Sequence, residues 1–274
     1  MTNIRIERQD QVGIIEIARR GHYNSLDVDT AQDLRKAGLQ MARDRGVRAV
    51  LLRGQGGVFC SGADLRYIRD GGDGRLGYLR PDDGGPGYGA AFKQILEYLH
   101  STISEIRRAP KPFIAVVDGA AAAGGFGLAM ACDLVLASDR AWFEWAYFKT
   151  GLTGAESSTF MLPRLVGFRR AMELVLLSPR LDAAQALDAG LVTRVVPAER
   201  LDAEALALAR QLAQRPAGAV GVAKRLVNAA AGMDRLDEHL DWELEELARA
   251  ADGYDVAEGM EAFFAKRAPR FEVH

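Results

Sequence analysis

Short aliphatic runs alternate with helical stretches along the first two-thirds of this chain, and that alternation restricts the possible folds most strongly. The runs lie at residues 47–52, 113–117 and 134–137 and are rich in valine, leucine, isoleucine and alanine. Strands that are covered by helices on both faces have this composition, and helical connections place neighbouring strands parallel. The sequence therefore predicts an α/β fold, with residues 191–196 as its last strand.

The N-terminal segment has a different pattern. Apolar residues nearly alternate at 4–6 and 12–17 around a polar turn at 9–11, which predicts a β-hairpin. An amphipathic helix is expected to follow at residues 27–43.

Helical composition dominates the C-terminal part of the chain. From residue 198 onward alanine, leucine, glutamate and arginine prevail, and these residues favour helices. We therefore expect a core of residues 1–197 and a C-terminal helical region of residues 198–274 that packs on the core or on another subunit.

A glycine-rich segment interrupts the helical pattern at residues 70–89. It contains eight glycines and two prolines and almost no apolar residue. This composition is typical of turns and loops. The segment is expected to be a mobile loop and a candidate lid over a binding site.

The composition limits the class of protein. Of the 274 residues 49% are hydrophobic and 26% are charged, and the net charge is -2. These values exclude a wholly disordered or membrane-embedded chain and give no overall attraction to nucleic acid. The two cysteines, Cys60 and Cys132, occur without a CxxC motif, and the first residues show no signal segment. We expect a cytoplasmic protein without disulfides or a metal.

Small residues follow two of the predicted strands, at residues 59–64 and 118–125. Such turns leave backbone N–H groups accessible to a ligand. Two N–H groups that converge on one oxygen form an oxyanion hole, which stabilises negative charge as it develops on a carbonyl. Alternatively, the glycines only allow a helix to pack closely on a strand.

These segments belong to a longer series of motifs. In chain order the motifs lie at residues 24–26 (NSL), 59–65 (FCSGADL), 111–125, 128–133 (LAMACD), 162–167 (LPRLVG), 186–192 (ALDAGLV) and 258–267. Together they resemble the enoyl-CoA hydratase/isomerase (crotonase) superfamily over essentially the whole chain. The resemblance implies a spiral of ββα units with a C-terminal helical region and an acyl-CoA thioester substrate. It also implies a homotrimer or hexamer, with coenzyme A present only as part of the substrate.

The resemblance also implies the residues of the site. The oxyanion hole is formed by the backbone N–H groups at the positions of Ala63 and Gly124. Phe263 and Lys266 match positions that hold coenzyme A, in some members from a neighbouring subunit. Further substrate contacts are expected at Ser25, Leu26, Ser61, Asp64, Leu65 and Gly125.

Two positions depart from the hydratases of this family. Those enzymes hold a water between two glutamates, and the corresponding positions here are Gly127 and Tyr147. Glycine has no side chain to exchange a proton, and a tyrosine with an ordinary pKa of about 10 is a poor base at neutral pH. Hydration by a glutamate pair is therefore not expected.

The segment at 143–174 is most similar to 4-chlorobenzoyl-CoA dehalogenase-like members, which use a carboxylate nucleophile, a histidine base and a tryptophan. His100 falls on the histidine position and Tyr147 on the tryptophan position. The nucleophile position is Ala155, and Glu156 is displaced from it by one residue. Glu156 can serve only if this turn follows a different path; otherwise it simply opens a helix, where an acidic residue is favourable.

His100 also has support from the helical pattern. The spacing places it beside Leu96 and Ile103, at the edge of the predicted buried face. An imidazole that titrates near neutrality suits general acid or base catalysis. The alternative is a partly buried histidine bonded to the backbone.

The leading hypothesis is an acyl-CoA enzyme, a lyase or isomerase, that stabilises a thioester enolate in a backbone oxyanion hole. His100 or Glu156 would move the proton, with Tyr147 beside them. Alternatives are an aroyl-CoA dehalogenase and a β-keto acyl-CoA hydrolase or decarboxylase. A non-catalytic acyl-CoA binder is a further alternative, while the near-neutral charge argues against an RNA-binding relative.

Overall fold

A computed structural model describes residues 3–71 and 87–271 of the chain. The strands are β1 (Ile4–Gln9), β2 (Val12–Ile17), β3 (Ala49–Gly54), β4 (Phe113–Val117), β5 (Ala120–Ala122), β6 (Leu134–Ser138), β7 (Trp142–Glu144), β8 (Leu181–Asp182) and β9 (Arg194–Val196). The α-helices are α1 (Val28–Arg43), α2 (Leu65–Arg69), α3 (Tyr88–Arg108), α4 (Gly124–Ala131), α5 (Ser158–Val166), α6 (Phe168–Leu177), α7 (Ala183–Asp188), α8 (Leu201–Ala213), α9 (Ala217–Ala230), α10 (Leu236–Ala251) and α11 (Tyr254–Ala265). Short 3-10 helices occupy Arg20–His22, Ala146–Thr150, Ala198–Arg200 and Met233–Arg235.

The main sheet has six strands in the order β1-β2-β3-β4-β6-β9. β1 and β2 pair antiparallel with Gln9 opposite Val12, and Asp10 adopts a left-handed conformation (φ 56°) in the turn between them. Every later pair in this sheet is parallel. The predicted hairpin and the predicted α/β class are both confirmed, although β3 and β9 begin a few residues later than expected.

Helices cover both faces of the main sheet. One face packs against α1 and α3 through a large apolar cluster that includes Ile15 and Phe113. The opposite face carries Leu51 and packs against α8 through Ala205 and Ala209. Burial on both faces explains why these strands are nearly continuous apolar runs in the sequence.

The helix predicted at residues 27–43 is confirmed as α1. The carboxylate of Asp27 accepts the N–H of Thr30 at 2.8 Å, which satisfies one of the unpaired donors of the first helical turn. Leu34 and Met41 lie on the face that α1 buries in the core.

Of the loop predicted at residues 70–89, residues 72–86 lie outside the described part of the chain. The predicted end of this loop at residue 89 is wrong, because α3 already begins at Tyr88. The N–H of Gly89 donates to Asp252 Oδ1 at 2.9 Å, and this contact from α10 holds the start of α3 in place.

Helices α8 to α11 follow residue 197, which confirms the helical composition predicted there. α8 packs on the main sheet and α10 packs along α3. The division into two regions at residue 197 stays a prediction. Within residues 3–71 and 87–271, no helix combines the length and the apolar composition that crossing a bilayer requires.

A second sheet of three short strands, in the order β5-β7-β8, positions the residues of the candidate site. Gly119 (φ 63°) turns the chain between β4 and β5, where an added Cβ would lie 2.1 Å from the carbonyl oxygen of Gly57. β5 then runs beside the segment at 59–64, with a parallel bridge between Cys60 and Ala121. Strands of two or three residues are too short for periodicity to predict.

Candidate active site

The fold brings the two junctions of small residues together beyond the carboxyl ends of β3 and β4. Ala63 forms a parallel bridge with Leu26. An added Cβ at Gly62 would lie 3.0 Å from the backbone nitrogen of Gly124, so the two junctions are in direct contact. Ligands of open parallel sheets commonly bind at this end of the strands.

A cavity of about 700 Å³ opens beside this contact. Among the predicted site residues, its lining includes Ser25, Ser61, Ala63, Asp64, Leu65, Gly124, Tyr147, Glu156, Phe263 and Lys266. Three other predicted residues, Leu26, Gly125 and His100, do not belong to the lining. The volume falls within the usual range of small-molecule sites. The structure therefore gathers most of the predicted site into one cavity.

Two backbone donors lie in the cavity wall. The N–H of Leu26 donates to the carbonyl of Gly62, and the N–H of Asp64 donates to the carbonyl of Leu26, each at 2.8 Å. The N–H of Ala63 takes no part in this pairing. Gly124 is the first residue of α4, where N–H groups have no partner within the helix. Within the described residues no acceptor engages either N–H group. Both remain free to bind an oxygen of a ligand.

Glu156 reaches the cavity from an unusual turn before α5. Glu156 and Ser157 both adopt left-handed conformations, with φ of 50° and 61°. The Glu156 side chain is buried, and its Oε1 lies 2.8 Å from the position of an added Cβ on Gly124. The hydroxyl of Tyr147 donates a hydrogen bond to the other carboxylate oxygen, Oε2. The carboxylate therefore lies against Gly124, the residue that carries one of the two backbone donors.

The surroundings of Glu156 change its acidity. Burial raises the pKa of Glu156 to about 7, the hydrogen bond from Tyr147 opposes this rise, and the charge of Glu243 adds to it. Burial and the neighbouring Glu156 raise the pKa of Tyr147 well above its ordinary value. Tyr147 is thus a permanent donor near neutral pH, whereas Glu156 can both accept and release a proton.

Close packing excludes side chains at two glycines of α4. An added Cβ at Gly127 would lie 2.4 Å from the carbonyl oxygen of Glu156. At Gly125 it would lie 2.0 Å from the carbonyl oxygen of Cys60. The packing role considered for the glycines of residues 118–125 therefore holds at Gly125, and Gly127 is packed as closely. A carboxylate cannot project from position 127 in this arrangement.

His100 lies in α3, away from the cavity lining. Its side chain is buried, and neither ring nitrogen has a hydrogen-bond partner among the described residues. Burial lowers the pKa of His100 to about 4, against the opposing charges of Glu243 and Asp241. Because α10 packs over this part of α3, the residue is more enclosed than the edge position predicted for it. The structure brings Glu156 and Tyr147 together but does not bring His100 to them.

Asp64 has a structural network at the cavity wall. Its carboxylate accepts the N–H groups of Arg66 and Tyr67 at 3.2 Å and so caps α2. Arg19 donates to the same carboxylate at 3.1 Å. Burial alone would raise the pKa of Asp64, but the bond from Tyr67 and the charge of Arg19 lower it. The side chain lines the cavity as a charged, fully engaged group.

Of two other buried side chains near the site, one is unreactive and the other is already ion-paired. Burial raises the pKa of Cys60 to about 12, so its thiol stays protonated and unreactive near neutral pH. Glu144 is buried between Lys149 and Arg180, so it does not point to solvent.

Several lining residues were not predicted from the sequence. Apolar side chains of Phe92, Leu152 and Leu247 form one wall of the cavity, and Arg66 and Lys149 add positive charge. Phe92 and Leu247 lie in helices whose apolar spacing looks the same for core packing as for a binding wall. No local signal separates these two uses.

A carboxylate on α10 was also missed. Glu243 is buried and accepts hydrogen bonds from the backbone N–H groups of Ser157 at 2.8 Å and Thr159 at 3.0 Å.

In the described part of the chain, no group of three or more His, Cys, Asp or Glu side chains is arranged to hold a metal ion.

Comparison with known proteins identifies the family of the chain. The family model described as Enoyl-CoA hydratase/isomerase matches residues 7–83 and 85–274. The 1,2-epoxyphenylacetyl-CoA isomerase of Escherichia coli is 34% identical over 257 residues, covering 94% of this chain and 93% of the relative. A 4-chlorobenzoyl coenzyme A dehalogenase of Arthrobacter is 30% identical, covering 96% and 91%.

A solved enoyl-CoA hydratase from Mycobacterium avium subsp. paratuberculosis superposes with a TM-score of 0.85 at 32% identity, and 99% of each chain is covered. The fold implied by the sequence resemblance is thereby confirmed. The chain belongs to the enoyl-CoA hydratase/isomerase (crotonase) superfamily of acyl-CoA enzymes.

Proposed function

We propose that this enzyme transfers a proton at the acyl chain of a CoA thioester, in an isomerase-type reaction that passes through an enolate. The thioester oxygen lies between the N–H groups of Ala63 and Gly124, and Glu156 moves the proton. The observation that carries this proposal is the buried carboxylate of Glu156, which lies against Gly124 in the cavity lining.

The proton transfer begins at the carbon next to the thioester carbonyl. Ionised Glu156 removes a proton from that carbon, the C–H electrons form the carbon–carbon double bond of the enolate, and the carbonyl electrons move onto oxygen. The two backbone N–H groups stabilise the resulting negative charge, a contribution of roughly 3 kcal/mol for one such donor. In a β,γ-unsaturated thioester the enolate is conjugated with the chain double bond, so protonated Glu156 can return the proton to the γ carbon while the double bond moves to the α,β position.

A pKa of about 7 suits Glu156 to both halves of this cycle. At neutral pH the carboxyl is present in both forms, so it can act as the base and then as the acid. Tyr147 has a supporting role, because its raised pKa keeps it a hydrogen-bond donor that orients Glu156.

A single usable carboxylate supports isomerisation over hydration. Gly127 has no room for a side chain, and Tyr147 occupies the other position at which hydratases carry glutamate. Asp64, the second carboxylate of the described lining, already caps α2 and pairs with Arg19. One carboxylate that gives back the proton it takes needs no partner acid.

Dehalogenation is less well supported. The nucleophile position carries Ala155, and Glu156 is a buried carboxyl whose pKa of about 7 reduces its ionised, nucleophilic fraction. Hydrolysis or decarboxylation of a β-keto acyl-CoA and simple acyl-CoA binding are outcomes that the assay below distinguishes.

The rest of the cavity provides for the CoA thioester. Lys266 and Arg66 supply positive charge for its phosphates, while Phe92 and Leu247 supply an apolar wall for the acyl chain. The cytoplasmic location and the absence of a further cofactor stay predictions.

Assembly as a homotrimer or hexamer is part of the proposal. α9 buries none of its residues within the chain, and Leu226 and Val227 are 63% and 67% exposed. On α6, Phe168 and Leu177 are 71% and 73% exposed. Exposed apolar groups on this scale are typical of subunit contacts.

The test is mass spectrometry of a panel of enoyl-, β-keto- and aryl-CoA thioesters incubated with the wild-type enzyme and with Glu156→Gln. We expect an isomeric product of unchanged mass, separated by chromatography, that Glu156→Gln does not form. Gain of water, release of CoA, loss of carbon dioxide or loss of halide would each contradict the proposed reaction and identify a different one. Binding without any product would indicate a non-catalytic protein.

A further inference from the structure

Helix α5 begins directly after the turn that carries Glu156, and its first N–H groups are not capped by a nearby side chain. Its N-cap, Ser157, makes no side-chain capping bond. Helix N-termini require acceptors for these N–H groups. The acceptor comes from a distant helix, because Glu243 of α10 reaches this end of α5.

The carboxylate of Glu243 receives three hydrogen bonds. Oε2 accepts the N–H of Ser157 at 2.8 Å, and Oε1 accepts the N–H of Thr159 at 3.0 Å. The hydroxyl of Thr159 donates to the same Oε1. His239 supports this arrangement through a contact of 2.8 Å between its Nε2 and Thr159 Oγ1. Both carboxylate oxygens of Glu243 thus accept hydrogen bonds from the start of α5.

These bonds hold a turn that the local sequence does not favour. Two consecutive non-glycine residues, Glu156 and Ser157, have positive φ, and such residues persist only where the surroundings fix them. Glu243 binds the N–H of the second of the two residues. Together with the bonds from Ser158 N–H to Ala155 and from Met161 N–H to Ser157, this contact fixes the turn and, through it, the direction of the Glu156 side chain.

The position of Glu243 also has an electrostatic consequence. A negative charge at a helix N-terminus is favourable, so the carboxylate of Glu243 suits its place at the start of α5. Its charge in turn raises the pKa of Glu156. The other groups that face Glu156 are Tyr147, which donates to it, and Cys60. His239 and His100 face Glu243 from α10 and α3.

We propose that Glu243 is a positioning residue, which caps α5 and thereby aims the carboxylate of Glu156 at Gly124. The proposal rests on the proposed function, in which Glu156 is the proton carrier. Glu243 itself does not line the described cavity, so it acts on the substrate only through Glu156.

The experiment compares Glu243→Gln with Glu238→Gln, a control on the same helix whose side chain is 78% exposed. Glu243→Gln keeps the shape but removes the charge and one full acceptor. We expect its kcat to fall roughly 10- to 100-fold with little change in KM, because a displaced catalytic group slows the chemical step. Glu238→Gln is expected to match the wild type. A merely structural role would lower the amount of active enzyme without altering its pH profile.

A second measurement does not depend on turnover. Infrared difference titration of the ligand-free enzyme, with Glu156→Gln subtracted to assign the band, follows the protonated carboxyl of Glu156. In Glu243→Gln this titration should move to lower pH, and the alkaline rise of kcat should move with it. Thr159→Val, which removes one bond to Glu243 and keeps the volume, should reduce kcat by a smaller factor.

The outcomes separate the two proposals. An unchanged titration and unchanged kcat in Glu243→Gln would overturn the role of Glu243. Full activity of Glu156→Gln would overturn the proposed function. In that case the infrared titration still decides whether Glu243 controls Glu156. If Glu243→Gln does not fold, a wild-type titration and kcat in Thr159→Val would count against the proposal.

Discussion

Two buried titratable groups, Glu156 and His100, are the candidates for moving a proton, and their surroundings and pKa shifts differ. Burial raises the pKa of the carboxyl to about 7 and lowers that of the imidazole to about 4. Glu156 lines the cavity and has a donor in Tyr147, whereas His100 lies between helices with neither nitrogen bonded among the described residues. Burial therefore moves the pKa of the carboxyl toward neutral pH and moves the pKa of the imidazole away from it.

The largest expected effect concerns the stability of Glu156→Gln. Because the folded pKa is about 7 and the ordinary value 4.5, the folded state binds more protons between these values and its stability falls as pH rises through them. Glutamine does not titrate, so Glu156→Gln avoids this fall in stability. The variant should gain up to about 3 kcal/mol over the wild type above neutral pH and little below about pH 5. Urea unfolding at both pH values measures the difference, and an equal effect at both would contradict the raised pKa.

Gly124→Ala should lower kcat roughly 100-fold, since its Cβ would lie 2.8 Å from Oε1 of Glu156 and displace the carboxylate. Gly218→Ala, in α9, is the matched control because nothing lies within 4 Å of its added Cβ. Steady-state kinetics of both variants test the prediction. Equal activities would mean that the carboxylate does not need its present position.

Tyr147→Phe should lower kcat by about 10-fold near neutral pH, the scale expected for a lost hydrogen bond to a charged group. The bond from Tyr147 lowers the pKa of Glu156, so its removal should move the base limb of the pH profile to higher pH. A limb that stays in place while activity falls would assign Tyr147 a role other than tuning Glu156.

His100→Leu should have the smallest effect. Leucine removes a buried polar ring whose nitrogens have no partner in the described structure, so we expect about 1 kcal/mol of stabilisation and activity within roughly twofold of the wild type. Thermal unfolding and kcat are the measurements. A large loss of activity in a stable variant would restore His100 as the proton carrier.

The sequence predicts the main sheet well and the chemistry only in part. The strand at Phe113–Val117 is found at its predicted residues, because burial on both faces leaves a continuous apolar run. The closeness of Ala63 and Gly124 follows from motifs of small residues after neighbouring parallel strands. These features are local in the chain, or follow from the order of the strands.

The placement of Glu156 could not be predicted in the same way. Neither Glu156 nor Ser157 is a residue type that favours positive φ, and one of the contacts that hold them comes from Glu243, 86 positions away from Ser157. His100 was placed at the edge of the core because helical spacing does not reveal that α10 covers α3. Both features depend on tertiary packing, which local pattern does not specify.

The most direct test of Glu156 as the proton carrier is hydrogen–deuterium exchange at the carbon next to the thioester carbonyl. A saturated or arylacetyl-CoA is incubated with the enzyme in deuterated buffer across a range of pH and analysed by mass spectrometry. We expect exchange to rise with pH through a midpoint of about 7 in the wild type, and to fall roughly 100- to 10,000-fold in Glu156→Gln. Undiminished exchange in that variant, with the same midpoint, would contradict the assignment.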